Sequence, residues 1–244
     1  MSILPYTLTD VDPTRLGLIV LQTDETIERD FIAMKGDCDL FFNRVPCGAE
    51  TTAAALQAMA GHMATSASLF PQTCAFDVFG YGCTSGTAQI GIDRVRGLIQ
   101  GAVQTRAVTQ PVSALKAACD ALGVKRLAFV SPYIEAVSAQ LRDVVRTQGV
   151  EVPVFGTFDC VEERNVVRIS GDAILDGART LVQGAEVDAI FLSCTNLRAL
   201  DVVDQMEAEL NLPVLCSNQV LAWHMAQLSG NPRAMQGPGR LFQQ

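Results

Sequence analysis

The stretch that decides the fold is RLAFVSPYIEAVSAQLRDVVRTQG, residues 126–149. It opens on a short apolar run, RLAFV (126–130), without the period-two alternation of a half-exposed strand, which marks a strand covered on both faces. The pattern then changes. From Pro132 to Gly149 the apolar residues recur at helical spacing, with a proline at the start and a glycine at the end, the punctuation a helix prefers. The same rhythm runs through the chain. LGLIVL (16–21), AFDVFGYG (75–82) and VDAIFLS (187–193) read as further buried strands, and NLRALDVVDQMEAEL (196–210) reads as a helix with Asn196 as its N-cap. Strands alternating with helices predict an α/β architecture with parallel sheets.

The arrangement is duplicated. Leu16, at the head of one strand, precedes Cys83 by 67 residues, and Leu127 precedes Cys194 by the same 67. Cys83 stands in GCTSG and Cys194 in SCTNL, each followed by a threonine and a small polar residue. Two pseudo-symmetric, Rossmann-like lobes are therefore expected, spanning 14–110 with 215–244 and 111–214. Both cysteines fall at carboxyl ends of strands, the edge where open α/β sheets bind ligands. If the lobes face one another, the thiols flank one cleft between them, and that cleft is the expected active site.

Composition narrows the function classes. The chain has 244 residues, 49% apolar and 18% charged, with a net charge of −8. That balance suits a packed globular chain and lacks the clustered Lys and Arg of a nucleic-acid surface. No apolar run approaches the roughly 18 residues of a membrane helix, and the first residues lack the basic flank and apolar stretch of a secretory signal. A cytoplasmic location without nucleic-acid or membrane partners is expected. In that setting the eight cysteines stay reduced. No Cys-x-x-Cys pair occurs and only two histidines are present, so a structural zinc is not expected. Cys38, Cys47, Cys74, Cys119, Cys160 and Cys216 read as small hydrophobes in structural roles. His62, His224 and Trp223 read as structural too.

Familiar cofactor motifs fail. GYGCTSG has its third glycine one place too late for a dinucleotide fingerprint. Tyr81 and Ser85 occupy the positions where a nucleophile elbow needs glycines. No GxxxxGK[ST] loop is present, and the three lysines, Lys35, Lys116 and Lys125, sit in polar flanks unsuited to a Schiff base. Chemistry without a cofactor is expected.

The duplicated strand-Cys-Thr pattern, with LGVKRLAFVSPYIEAVSAQL between its two copies, resembles the aspartate/glutamate racemase superfamily. Within it the chain is most similar to maleate cis–trans isomerases and arylmalonate decarboxylases, and GLIVLQTDETIE resembles the ectoine-utilisation racemase-like branch. The resemblance implies that Cys83 attacks a substrate double bond while Cys194 moves a proton. It implies substrate contacts for Tyr133, in VSPY, and for Asn165, in EERNVVRI. The decarboxylases have a glycine at the place of Cys83, so two retained thiols favour isomerase or racemase chemistry. One departure concerns the substrate. The isomerases carry an asparagine where this chain has Asp24, and an ionised carboxylate cannot donate to a substrate carboxylate. Either the substrate presents an amine or amide there, or Asp24 turns away to cap a helix. The first alternative favours an amino acid or an N-acylated diamino acid over maleate.

The chemistry suits two thiols on opposite walls, one removing a proton from a carbon and the other returning one to its far face. Thiol pKa values lowered by amides or by a following helix N-terminus would serve that task. Thr84, Ser85, Thr195 and Asn196 would hold the substrate carboxylate. A small-molecule carboxylate is thus the expected partner, and a homodimer the expected assembly. The alternatives are a decarboxylase using Cys194 alone and a non-catalytic small-molecule sensor.

Overall fold

A computed structural model describes residues 1–8, 11–48 and 52–244. The first half runs β1 (Arg15–Leu21), α1 (Ile27–Met34), β2 (Asp39–Val45), α2 (Ala53–Ala58), α3 (Ala60–Ser68), β3 (Phe76–Gly82), α4 (Thr84–Ile90), α5 (Ile92–Gln100) and β4 (Thr105–Thr109). The second half runs α6 (Pro111–Leu122), β5 (Arg126–Tyr133), α7 (Glu135–Thr147), β6 (Glu151–Cys160), α8 (Glu163–Val166) and α9 (Gly171–Val182). It continues through β7 (Ala189–Leu192), α10 (Val203–Leu210), β8 (Val214–Cys216) and α11 (Ser217–Ser229).

Each half builds one four-stranded parallel sheet, ordered β2-β1-β3-β4 and β6-β5-β7-β8. Counted within each half, both orders are second, first, third, fourth. The duplication read from the cysteine spacing is thus a duplication of topology.

Burial on both faces explains why the strands do not alternate. Along β1 and β3, Ile19, Leu21, Phe79 and Tyr81 enter one apolar cluster, while Leu16, Leu18, Val20 and Val78 enter the cluster on the other face. In the second sheet Leu127, Phe129 and Phe191 face one way and Ala128, Val130, Ile190 and Leu192 the other. Each fully buried large side chain contributes about 1.5–3 kcal/mol. α11 ties the halves together. Its Leu221, Ala222, Met225 and Ala226 pack with β1 and β3, whereas Val220 and Trp223 pack with α6, β5 and β7.

Two helices start later than their sequence suggests. α7 begins at Glu135 because β5 runs through Pro132 to Tyr133, which pairs with Cys160. The helix expected from Asn196 begins only at Val203, after a short 3-10 turn (Leu200–Val202). Asn196 is engaged elsewhere: its backbone carbonyl accepts from Thr26 Oγ1 (2.9 Å) and its Oδ1 from Glu25 N (2.9 Å). α6 follows its signals closely. Pro111 sits in its first turn, the Gln110 side chain accepts from Val112 N and Ser113 N, and Gly123 ends it at φ 69°. Among the described residues no helix is long and apolar enough to cross a membrane.

Candidate active site

A small cavity lies where the carboxyl ends of β1, β3, β5 and β7 converge. Leu21, Thr23, Asp24, Cys83, Thr84, Ser85, Tyr133, Glu163, Cys194, Thr195 and Asn196 line it. It has room for about 10 Å³, roughly one water, so a ligand must widen it to enter. No Lys, Arg or His is among the described residues that line it.

Cys83 directly follows β3 and caps α4, its Sγ accepting the Gly86 N–H at 3.1 Å. A Cβ on Gly86 would lie 2.7 Å from that sulfur and 2.8 Å from Met59 Cε and Tyr81 OH. The glycine therefore lets a backbone amide reach the thiol. Cys194 lies two residues past β7 with φ 120°, a backbone state rare outside glycine. Its Sγ accepts the Asn196 N–H at 3.2 Å and lies 2.9 Å from Tyr133 OH.

The environment of both thiols favours the protonated form, contrary to the lowered pKa values expected. Burial, which penalises the charged form, pushes each well above the usual thiol range. At Cys194 the Glu163 charge adds to that rise, and the hydrogen bonds with Tyr133 and Asn196 offset only part of it. The expected helix N-terminus is present at Cys83 and missing at Cys194.

Asp24 caps α1 with one oxygen and leaves the other unpaired. Oδ1 accepts Thr26 N and Ile27 N at 2.8 Å each, at the head of α1. Oδ2 of this cavity-lining residue is buried and makes no hydrogen bond. Burial raises the pKa of this 3%-exposed carboxyl from 3.8 to about 6, against the pull of the two amides and the nearby Thr195 side chain.

The other expected residues meet here with one exception. Tyr133 OH donates to Glu163 Oε1 at 2.6 Å. Thr84 Oγ1 donates to Ser217 Oγ (2.8 Å), which also accepts Cys194 N (3.0 Å). Thr195 Oγ1 donates to Gly82 O at 3.3 Å, and Asn196 Nδ2 donates to Glu163 Oε2 at 2.9 Å. Ser85 lines the cavity, nearly fully buried. Asn165 does not: it is exposed on α8, outside the cavity lining. The single turn of α8 points residues 163 and 166 inward, which leaves 164 and 165 outside. The residue in the site is Glu163.

Sequence reasoning missed Glu163, Ser217 and Asn218. Glu162 and Glu163 look alike in a sequence, and only the phase of one helical turn separates them. CSNQV, at the head of α11, offered a signal, since it repeats the polar cluster that follows the other strand-end cysteines. Asn218 Nδ2 donates to Thr195 O and to Asp30 Oδ2, at 2.8 Å each.

The remaining cysteines are free thiols outside the cavity lining, with Cys47 Sγ 3.4 Å from Thr23 Oγ1 at its edge. His224, 2.8 Å from Thr109 Oγ1, is kept neutral by burial, which lowers its pKa to about 4; His62 is exposed. Among the described residues no group of three or more His, Cys, Asp or Glu is arranged to hold a metal ion.

Comparison with known proteins adds to this geometry. The sequence model of the family described as arylmalonate decarboxylase matches residues 95–242. A maleate isomerase of Nocardia farcinica is 28% identical over 138 residues, covering 56% of this chain and 55% of that protein. An arylmalonate decarboxylase of Bordetella bronchiseptica is 28% identical over 124 residues, 50% of this chain and 52% of that one. The chain thus aligns with about half the length of these two relatives. A solved mutant of the Nocardia farcinica maleate cis-trans isomerase, with a covalently bound succinylcysteine intermediate, has a similar fold. Its TM-score is 0.83 at 22% identity, with 93% of this chain and 97% of that chain covered.

Proposed function

The chain belongs to the arylmalonate decarboxylase family, and from that premise we propose that it is a cofactor-independent racemase or cis–trans isomerase of a small carboxylate bearing an amine. The sulfur pair carries this reading: Cys83 and Cys194, from the two halves of the duplication, line one cavity. Turnover needs one sulfur as thiolate and the other as thiol. In racemisation that thiolate takes the proton from the carbon next to the carboxylate, and the opposite thiol gives its own proton to the other face. The charge that develops spreads into the carboxylate as an enolate, next to the amides and hydroxyls of Thr84, Ser85, Thr195 and Asn196.

In cis–trans isomerisation the Cys83 thiolate adds to one alkene carbon and Cys194 protonates its neighbour. The single bond turns, Cys194 takes the proton back, and Cys83 leaves. The succinylcysteine held by the Nocardia farcinica isomerase supports this covalent form.

Asp24 supports the amine. Asp24 and Glu163 both line a cavity with no cationic side chain among its described residues, and Asp24 Oδ2 makes no hydrogen bond, so a dicarboxylate such as maleate would bring its charge against two carboxylates. An ammonium group would pair with Oδ2 instead. An amino acid or an N-acylated diamino acid has that layout, and ectoine-derived acids are the finer reading that the sequence resemblance favours.

The match to a decarboxylase favours a second reading, loss of carbon dioxide with Cys194 as the only proton donor. One experiment separates them. Maleate, aspartate, glutamate, ectoine-derived acids and an arylmalonate are incubated with the protein in D2O, and deuterium uptake, stereochemistry and released carbon dioxide are followed. Exchange with inversion or isomerisation supports the leading reading. Carbon dioxide release, retained in full by Cys83→Ala, supports the second. Thermal stabilisation by a compound that undergoes neither change contradicts both and points to a sensor.

A further inference from the structure

Tyr133 OH lies between two groups that exchange protons, 2.6 Å from Glu163 Oε1 and 2.9 Å from Cys194 Sγ. A phenol has one hydrogen. Since it is donated to Glu163, the Tyr133 oxygen is the acceptor for the Cys194 S–H. The three groups form a directed chain, thiol to phenol to carboxylate, buried throughout. Asn196 fixes both ends, its N–H on Cys194 Sγ (3.2 Å) and its Nδ2 on Glu163 Oε2 (2.9 Å). The titratable groups facing Cys194 are Tyr133 from β5, Glu163 from α8, Asp24 after β1 and Cys83 after β3.

We propose that Glu163 is the proton acceptor for Cys194, acting through the Tyr133 hydroxyl. The S–H bond breaks as its proton passes to the Tyr133 oxygen, and the Tyr133 proton passes to Glu163 Oε1. The electron pair stays on sulfur. A thiol and a carboxylate become a thiolate and a carboxylic acid, so the net charge of the cavity does not change. The Glu163 charge that opposes the thiolate also disappears in the same step, while the Tyr133 O–H and Asn196 N–H both donate to the sulfur. Glu163 touches the thiol only through Tyr133, so it is a positioning and relay residue; in the racemase form of the proposed function, on which this role rests, it arms Cys194 as the thiolate that takes the substrate proton.

The test reads Cys194 alone, without substrate, so it stands apart from the identity of the reaction. In a Cys83→Ser background, iodoacetamide alkylation of the Cys194 peptide is followed by mass spectrometry from about pH 6 to 9. With Glu163 present, the rate should vary by less than about threefold above neutrality. Glu163→Gln, which preserves shape and access, should slow alkylation about tenfold near pH 6.5 and make it rise about tenfold per pH unit. A carboxylate that merely repels the thiolate gives the opposite sign: removing its charge would speed alkylation at every pH. Faster or unchanged alkylation in Glu163→Gln overturns the proposal. Tyr133→Phe keeps the Glu163 charge and cuts the path, and should slow alkylation in the same way. An unchanged rate in that variant overturns the proposal even if Glu163→Gln does not fold.

Discussion

Ser217 Oγ accepts the backbone N–H of Cys194 at 3.0 Å and, from the other half of the duplication, the Thr84 hydroxyl at 2.8 Å. One hydroxyl at the head of α11 thus couples the loops that follow the two strand-end cysteines. Leaving the buried Cys194 amide unpaired costs about 1–3 kcal/mol. Ser217→Ala should lower stability by that amount in chemical denaturation and reduce kcat more than it raises KM. Unchanged stability would mean that Ser217 does not hold the cysteine loops.

Asp24 makes stability depend on pH. Its folded pKa of about 6 lies above the ordinary 3.8, so between those values the folded state keeps a proton that the unfolded chain has lost. Stability therefore falls as pH rises through that window and stays lower above it. The shift corresponds to about 3 kcal/mol at most. Asp24→Asn should raise the melting temperature at pH 7 more than at pH 4, and tighten binding of simple dicarboxylates about tenfold or more. A variant whose stability follows the wild-type pH curve, with no gain for dicarboxylates, would contradict the charge argument.

Asn165 is an exposed residue of α8. Asn165→Ala should change stability by less than about 0.5 kcal/mol and leave turnover within about twofold. A large loss of activity would mean that α8 turns over when the cavity fills.

The strands, the parallel sheets and the duplicated cysteines were legible because buried strands and strand-end turns leave local signatures. Cys83 and Cys194 follow from those positions, whereas Tyr133 came from the family resemblance. The choice of Glu163 over Asn165 was not legible, since it rests on the phase of a single helical turn. Ser217 acts through contacts with residues 84 and 194 that are distant in the chain. The thiol protonation state depends on desolvation, which a sequence does not display. Asn196 was expected as an N-cap by its type, but Glu25, Thr26 and Glu163 claim its polar groups, and tertiary contacts outweigh local propensity there.

The central claim is that both sulfurs act on one bound molecule, and the most direct measurement is turnover in D2O of Cys83→Ser and Cys194→Ser, using whichever acid the wild-type protein inverts or isomerises. Each variant should keep the wild-type circular dichroism spectrum while losing about 10²–10⁴-fold in rate. Wild-type turnover with normal deuterium uptake in either folded variant would contradict the account.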